Sequence, residues 1–160
     1  MQPELIPNHW PGKCFGCSPR NEHGLKLQFW RTSQGVYSLT RIPAEKCGFD
    51  GLAHGGIIAL LFDEIGQWTL LGKLGAMGMT HQLKVRYHRA VHTERQIRLE
   101  GRILSVEDKL ASIEARILDP DDGAVLAEAE SQWILASTAT IARVAGADER
   151  MLQEFLDAYQ

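Results

Sequence analysis

One segment of this 160-residue chain constrains its fold more than any other: the run from Ile57 to Leu71. The run has no proline and only one glycine, Gly66, and it is long enough for about four turns of helix. Its apolar residues leave almost no polar face, and a helix that is apolar nearly all round has to be buried. We therefore expect the rest of the chain to supply a layer that covers this helix.

The segments on both sides of the helix alternate apolar and polar residues, as half-buried strands do. Two such segments precede it and four follow it, at 25–29, 36–42, 83–87, 97–103, 111–117 and 125–135. The turn residues at 119–123 separate the last two, and short turns join antiparallel neighbours. The pattern predicts an α+β domain in which a curved antiparallel sheet of about six strands wraps around one long central helix.

The flanks of this domain have a different character. Residues 1–23 contain four prolines and little periodicity, which predicts an irregular N-terminal leader lying on the domain. Residues 24–136 hold the helix and the strands. Residues 137–160 form a C-terminal extension, where apolar residues at helical spacing between 151 and 159 predict an extra helix. The length suits one domain.

Composition and charge argue against several classes of partner. The chain is 44% hydrophobic and 23% charged, as in ordinary globular proteins, and its net charge of -3 argues against nucleic acid as the main partner. The longest apolar stretch, 57–62, is far shorter than the roughly 20 residues that span a bilayer, so no membrane partner is expected. No secretory signal is visible, and three cysteines make an odd count. We expect a cytoplasmic protein with free thiols.

Asp63 does not fit its surroundings. It lies inside the apolar helix, where burying an isolated carboxylate costs several kcal/mol. One interpretation is a small solvated patch shared with Glu64 and Gln67. The other is an active-site carboxylate in a cleft, where burial tunes its pKa for base chemistry.

His54-Gly55-Gly56 stands at the start of the same helix. A helix N-terminus presents free backbone N–H groups, and glycines at 55 and 56 let a ligand such as a polarised carbonyl approach them. Close packing at the helix entry explains two glycines equally well. Gly55 and Asp63 are eight residues apart, or roughly 12 Å along one helix. If they act together, two chains related by a two-fold axis must combine, which suggests a homodimer with composite sites.

The segment from Gly51 to Gly66 resembles the signature of hot-dog-fold acyl-CoA thioesterases of the phenylacetate-degradation type, His-Gly-Gly, six residues, then Asp. The stretch from Met79 to Tyr87 resembles the strand Thr-x-x-Leu-x-Val-x-Tyr of that family. Cys14-Phe15-Gly16-Cys17 through Leu27 resembles an N-terminal segment of some members. The resemblance covers roughly residues 14–135.

The resemblance implies the hot-dog fold, a dimer or dimer of dimers, and hydrolysis of an acyl-CoA thioester without a cofactor. It assigns catalysis to Asp63 as nucleophile or base, Gly55 as the amide that polarises the carbonyl, Thr80 as the hydroxyl that places water or the carboxylate, and His54 as the residue that shapes the loop. Gly56 would border the bound carbonyl. A β-branched strand residue at position 80 is the simpler alternative for Thr80.

The sequence departs from the family before the helix, where many members carry Asn or Gln about six residues ahead of the histidine. Here Cys47-Gly48-Phe49-Asp50 has no side-chain amide. Either Asp50 or a backbone group replaces it, or the role is absent. The departure bears on catalytic efficiency more than on the fold.

Other residues are weaker candidates for binding. His81 and Arg86, with Lys84 and His88, could meet the phosphates of CoA, although a solvated basic face is more common. Trp68 could line an acyl pocket. Cys14 and Cys17 could bind zinc with His9, His23 or Cys47, but a single CxxC is a weak signal, and no metal is assigned.

Three other functions compete with hydrolysis. A non-catalytic acyl-CoA-binding module of the same fold is the main alternative, which the missing amide favours and Asp63 opposes. A hydratase of this fold would place an Asp–His pair in another segment, where no such pair is present. A purely structural dimer leaves the spacing of His54, Gly55 and Asp63 unexplained.

Overall fold

The computed structural model describes residues 2–160 as one antiparallel sheet around a long helix. The strands are β1 (Glu4–Ile6), β2 (Phe29–Arg31), β3 (Val36–Arg41), β4 (Gly78–Tyr87), β5 (Gln96–Glu107), β6 (Leu110–Leu118) and β7 (Val125–Leu135). The helices are α1 (Gly55–Leu74), α2 (Thr138–Ala145) and α3 (Glu149–Asp157), with a short 3-10 helix at Ala44–Lys46. The sheet order is β1-β2-β3-β5-β6-β7-β4. This confirms the predicted α+β hot-dog architecture.

The leader differs in part from its prediction. Glu4–Ile6 is not irregular, because it pairs with Phe29–Arg31 as an edge strand and brings the count to seven. The alternation from residue 25 predicted a longer second strand, but the ladder begins only at Phe29. Leu25 and Leu27 donate their N–H groups to the carbonyls of Phe15 and Gly16 instead. The leader thus takes the backbone partners that a sheet neighbour would have used.

Helix α1 lies against the sheet through side chains that are fully buried. Leu61, Phe62 and Ile65 are at most 1% exposed. A Cβ on Gly66 would stand 2.5 Å from the indole ring of Trp133 on β7, so only glycine allows this approach. Gly75 ends the helix in the left-handed conformation, with φ 58°.

The helix is not buried all round, which corrects the sequence expectation. Leu60, Asp63, Glu64 and Gln67 keep partial exposure, and their spacing of three and four residues places them on one stripe. The stripe carries three polar residues, Asp63, Glu64 and Gln67. A single chain therefore leaves one side of α1 incompletely covered.

The C-terminal extension forms two helices, where one was predicted. Gly146 ends α2 with φ 64°, and Asp148 begins α3 by accepting hydrogen bonds from backbone N–H groups. Phe155 of α3 packs edge-on against Trp10 with ring centroids 5.1 Å apart. The Tyr159 hydroxyl donates to the Pro7 carbonyl at 2.7 Å. Leader and extension thus hold each other on the domain.

The sheet edge next to β7 is strand β4, which has a neighbour on one side only. Most of its residues from 80 to 88 are exposed or half-buried. Within residues 2–160, every helix falls short of the length and apolar character that a membrane crossing demands.

Candidate active site

Asp63 and Thr80 meet at the half-buried stripe of α1. The Thr80 hydroxyl donates to Asp63 Oδ1 at 2.6 Å, a short distance for a charge-assisted hydrogen bond. The register of β4 against β7 shifts between Thr80 and Gln82, and such a bulge redirects side chains. The contact fixes one carboxylate oxygen and leaves the other available to water or a substrate.

The entrance of α1 presents a free backbone donor. His54 Nδ1 accepts the N–H of Gly56 at 2.9 Å, so the histidine caps the helix. Among residues 2–160, no acceptor is hydrogen-bonded to the N–H of Gly55. The Tyr87 hydroxyl donates to the Gly55 carbonyl at 2.8 Å and so anchors the backbone directly after this N–H. The role of Tyr87 was missed because it fits the apolar alternation of β4.

Within one chain, these two features do not form a single site. Gly55 and Asp63 stand on the same helix about 12 Å apart along its axis, beyond the reach of one carbonyl. The structure joins Asp63 to Thr80, and His54 to Gly56, but it joins neither pair to the other.

Three predicted substrate-binding residues lie on the surface and take no part in these hydrogen bonds. Asp50 is exposed in a turn that Gly51 closes with φ 80°. Arg86 is exposed and lies 3.6 Å from the carboxylate of Glu128. His81 is also exposed on β4. In the described chain, none of the three is hydrogen-bonded to Asp63 or Gly55.

A cavity of about 440 Å³ lies beside the stripe of α1, between the leader and the C-terminal helices. Trp68 lines it and stacks on Phe29 with ring centroids 4.9 Å apart, and its role in an acyl pocket stays a prediction. Gln67, one turn after Asp63, accepts the Gly78 N–H at 3.2 Å. Its buried Nε2 has no hydrogen-bond partner among the described residues. The cavity walls are mostly apolar, with Lys13, Glu64 and Gln67 as polar exceptions.

Glu64 joins the two leader cysteines at the wall of this cavity. The Cys14 thiol donates to Glu64 Oε1 at 2.9 Å. Burial, followed by the contact with Cys14, raises the pKa of Glu64 to about 8. A hydrogen bond from Cys17 lowers the pKa of Cys14 to about 5, and the same contact raises the pKa of Cys17. Glu64 thus does not belong to a solvated patch. Sequence reasoning missed its partners because they lie 50 residues away.

Comparison with known protein families finds a similarity over the centre of the chain. Residues 50–126 match the family model of the thioesterase superfamily. Residues 50–126, which hold strands β4 to β6 and α1, are thus similar to the thioesterase superfamily. This confirms the resemblance at the level of the superfamily, whereas the phenylacetate-degradation type stays a prediction. No curated protein matches the sequence.

Solved structures of the superfamily share the fold. One thioesterase superfamily protein is 27% identical with a TM-score of 0.68, over 74% of this chain and 61% of that one. A second is 28% identical with a TM-score of 0.64, over 74% and 90% of the two chains. A hypothetical thioesterase from Streptococcus pneumoniae, solved with coenzyme A, is 20% identical with a TM-score of 0.63, over 69% and 85%. This chain thus spans about three fifths of the first of these proteins.

Proposed function

We propose that this protein is an acyl-CoA thioesterase that hydrolyses an acyl-CoA thioester to the free acid and CoA. The observation that carries the proposal is the carboxylate of Asp63, held by the Thr80 hydroxyl at 2.6 Å on the half-buried stripe of α1. The fold does not require a carboxylate at this position, because burying a carboxylate costs free energy of folding. Similarity to the thioesterase superfamily supports a thioester as substrate, and the coenzyme A bound to the Streptococcus pneumoniae structure supports CoA as the thiol.

The oxyanion site is the free N–H of Gly55. A donor at a helix N-terminus stabilises the negative charge that develops on the thioester oxygen during attack. Tyr87 anchors the start of the helix by donating its hydroxyl to the Gly55 carbonyl, which belongs to the next peptide group. His54 accepts the N–H of Gly56, so this neighbouring donor is not available to the thioester oxygen.

Asp63 supplies the attacking group. As a base, it takes a proton from water while the water oxygen bonds to the acyl carbon and the carbon–sulfur bond breaks. As a nucleophile, it forms an anhydride that water then hydrolyses. In both routes CoA leaves as a thiolate, which needs no strong acid. Thr80 positions Asp63 in either case.

The complete site requires two chains. Because Gly55 and Asp63 of one chain are too far apart, the Gly55 of one protomer must face the Asp63 of its partner. The half-buried stripe of α1 and the exposed β4 edge are the surfaces that a second copy would cover. We therefore expect a homodimer, or a dimer of dimers, in which each dimer has two equal sites.

A thiol-release assay over a panel of aliphatic and aromatic acyl-CoA thioesters tests the proposal. We expect turnover by the wild type, and a loss of at least about 100-fold in kcat for Asp63→Asn, which keeps the shape of the side chain. Asp121→Asn, at an exposed carboxylate in a turn, is the matched control and keeps full activity.

Two results would contradict the proposal. Undiminished turnover by Asp63→Asn excludes Asp63 as the attacking or activating group. Tight binding of acyl-CoA without thiol release identifies the binding-module alternative, which the missing amide side chain near Asp50 favours.

A further inference from the structure

Two thiols and one carboxyl group converge where the leader touches the central helix, one residue after Asp63 along α1. Within residues 2–160, the Sγ atoms of Cys14 and Cys17 and a carboxylate oxygen of Glu64 all lie within 4.8 Å of one another. Around a tetrahedral zinc ion, with bonds of about 2.3 Å to sulfur and 2.0 Å to oxygen, ligand atoms stand roughly 4 Å apart. The three donors therefore already have nearly the spacing that zinc requires.

The loop that carries the cysteines is held rigidly by its backbone. The carbonyls of Cys14, Phe15 and Gly16 accept the N–H groups of Ser18, Leu25 and Leu27, respectively, at 2.8–3.1 Å. The Cys17 carbonyl accepts the side-chain amide of Asn8 at 2.8 Å. All four carbonyls of the CxxC segment are thus engaged. Such outer contacts fix ligand positions before the metal binds.

Gly16, between the two cysteines, lies directly against Glu64. A Cβ at this position would stand 2.2 Å from Cγ and 2.6 Å from Oε1 of the glutamate. Any other residue would push the carboxyl group away from the thiols. The loop is therefore shaped to hold a carboxylate beside two sulfur atoms, which a CxxC turn alone would not need.

The cluster has no positive partner from the protein. In the described part of the chain, no lysine, arginine or histidine forms an ion pair with Glu64. Asp63, the next residue, adds a further negative group. Thiol and carboxyl groups that share no protein cation are free to bind a metal ion, which takes the place of their protons.

We propose that Cys14, Cys17 and Glu64 form a zinc site that clamps the leader onto α1. Thiolate ligands select zinc over magnesium and calcium, which prefer oxygen. With three protein ligands, a fourth coordination position remains for water on the side of the 440 Å³ cavity, whose wall the three residues share. The proposal does not depend on the hydrolytic function, since neither Asp63 nor Gly55 is a ligand.

Zinc titration of the reduced full-length protein, in competition with a chromophoric chelator, tests the site. We expect one ion per chain for the wild type. Cys14→Ser, Cys17→Ser and Glu64→Gln should each weaken the affinity by at least about 100-fold, because each removes a ligand. Cys47→Ser is the matched control at the third free cysteine and should bind zinc like the wild type.

Cobalt substitution of the wild type provides a second readout, which does not depend on whether a variant folds. Sulfur-to-cobalt charge-transfer absorption is expected when both thiolates bind the ion. The absence of this absorption overturns the proposal, and so does a reduced wild type that binds no zinc. A stable disulfide between Cys14 and Cys17 would also overturn it, because the thiols would then not be available as ligands. Wild-type affinity in a folded Glu64→Gln variant overturns the three-ligand site.

Discussion

Thr80 acts on Asp63 through a single short hydrogen bond, so its contribution can be isolated. Thr80 itself is exposed on β4, and its side chain contributes little to the core. A hydrogen bond to a charged group is worth about 1.5–3 kcal/mol. The simpler view of Thr80, a β-branched residue that merely suits a strand, assigns it no such role.

Replacing Thr80 separates these two views. Thr80→Val keeps the branched shape but removes the hydroxyl, so we expect kcat for acyl-CoA hydrolysis to fall by about tenfold or more. Thr80→Ser keeps the hydroxyl and should retain most of the activity. Steady-state kinetics of both variants, with thermal melting as a control for folding, decide the point. Equal activity of the Val and Ser variants would leave Thr80 a strand residue only.

At the residue scale, the sequence predicted part of the site. The pairing of Asp63 with Thr80 followed from the family resemblance and is present. Tyr87 and Glu64 were missed for a shared reason: each interacts with a residue distant in sequence, Gly55 and Cys14, and periodicity carries no information on such contacts.

At the scale of elements, the apolar helix determined most of the fold, and its alternating neighbours predicted six of the seven strands. The strand Glu4–Ile6 escaped prediction because three residues between prolines show no period. The positions of the leader cysteines and of the two C-terminal helices depend on how these segments pack at one end of α1. Local sequence patterns do not encode that packing.

Two glycines of α1 test how closely the helix approaches the sheet. In Gly66→Ala the new Cβ meets the rigid indole of Trp133 at 2.5 Å, so we expect a loss of about 1–3 kcal/mol in the free energy of unfolding. In Gly72→Ala the Cβ meets two side-chain methyl groups, Ile6 Cδ1 at 2.8 Å and Val36 Cγ2 at 3.0 Å. Methyl groups at the ends of side chains shift more easily than an indole ring, and alanine favours the helix by about 1 kcal/mol, so the loss should be smaller than in Gly66→Ala.

Urea denaturation of the two variants provides the measurement. The difference between the two variants in the free energy of unfolding is more informative than either value, since both variants replace a glycine in the same helix. A Gly66→Ala variant as stable as Gly72→Ala would mean that α1 stands farther from β7 than the structure shows.

At the scale of the whole molecule, the account depends on two chains sharing each site. One chain supplies the carboxylate and the other supplies the free N–H at the helix entrance, because the same helix separates its own pair by about 12 Å. Gly55→Pro removes this N–H with little strain. Proline suits the first position of a helix, and His54 before it is extended, with φ -63° and ψ 134°.

Complementation between two inactive variants tests this claim most directly. Dimers assembled from one Asp63→Asn chain and one Gly55→Pro chain contain one site with both groups intact and one site that lacks both. The account predicts that each variant alone is inactive and that purified mixed dimers recover about half of the wild-type rate of thiol release. Mixed dimers that are as inactive as their parents would contradict it, because then each chain would have to carry a complete site of its own.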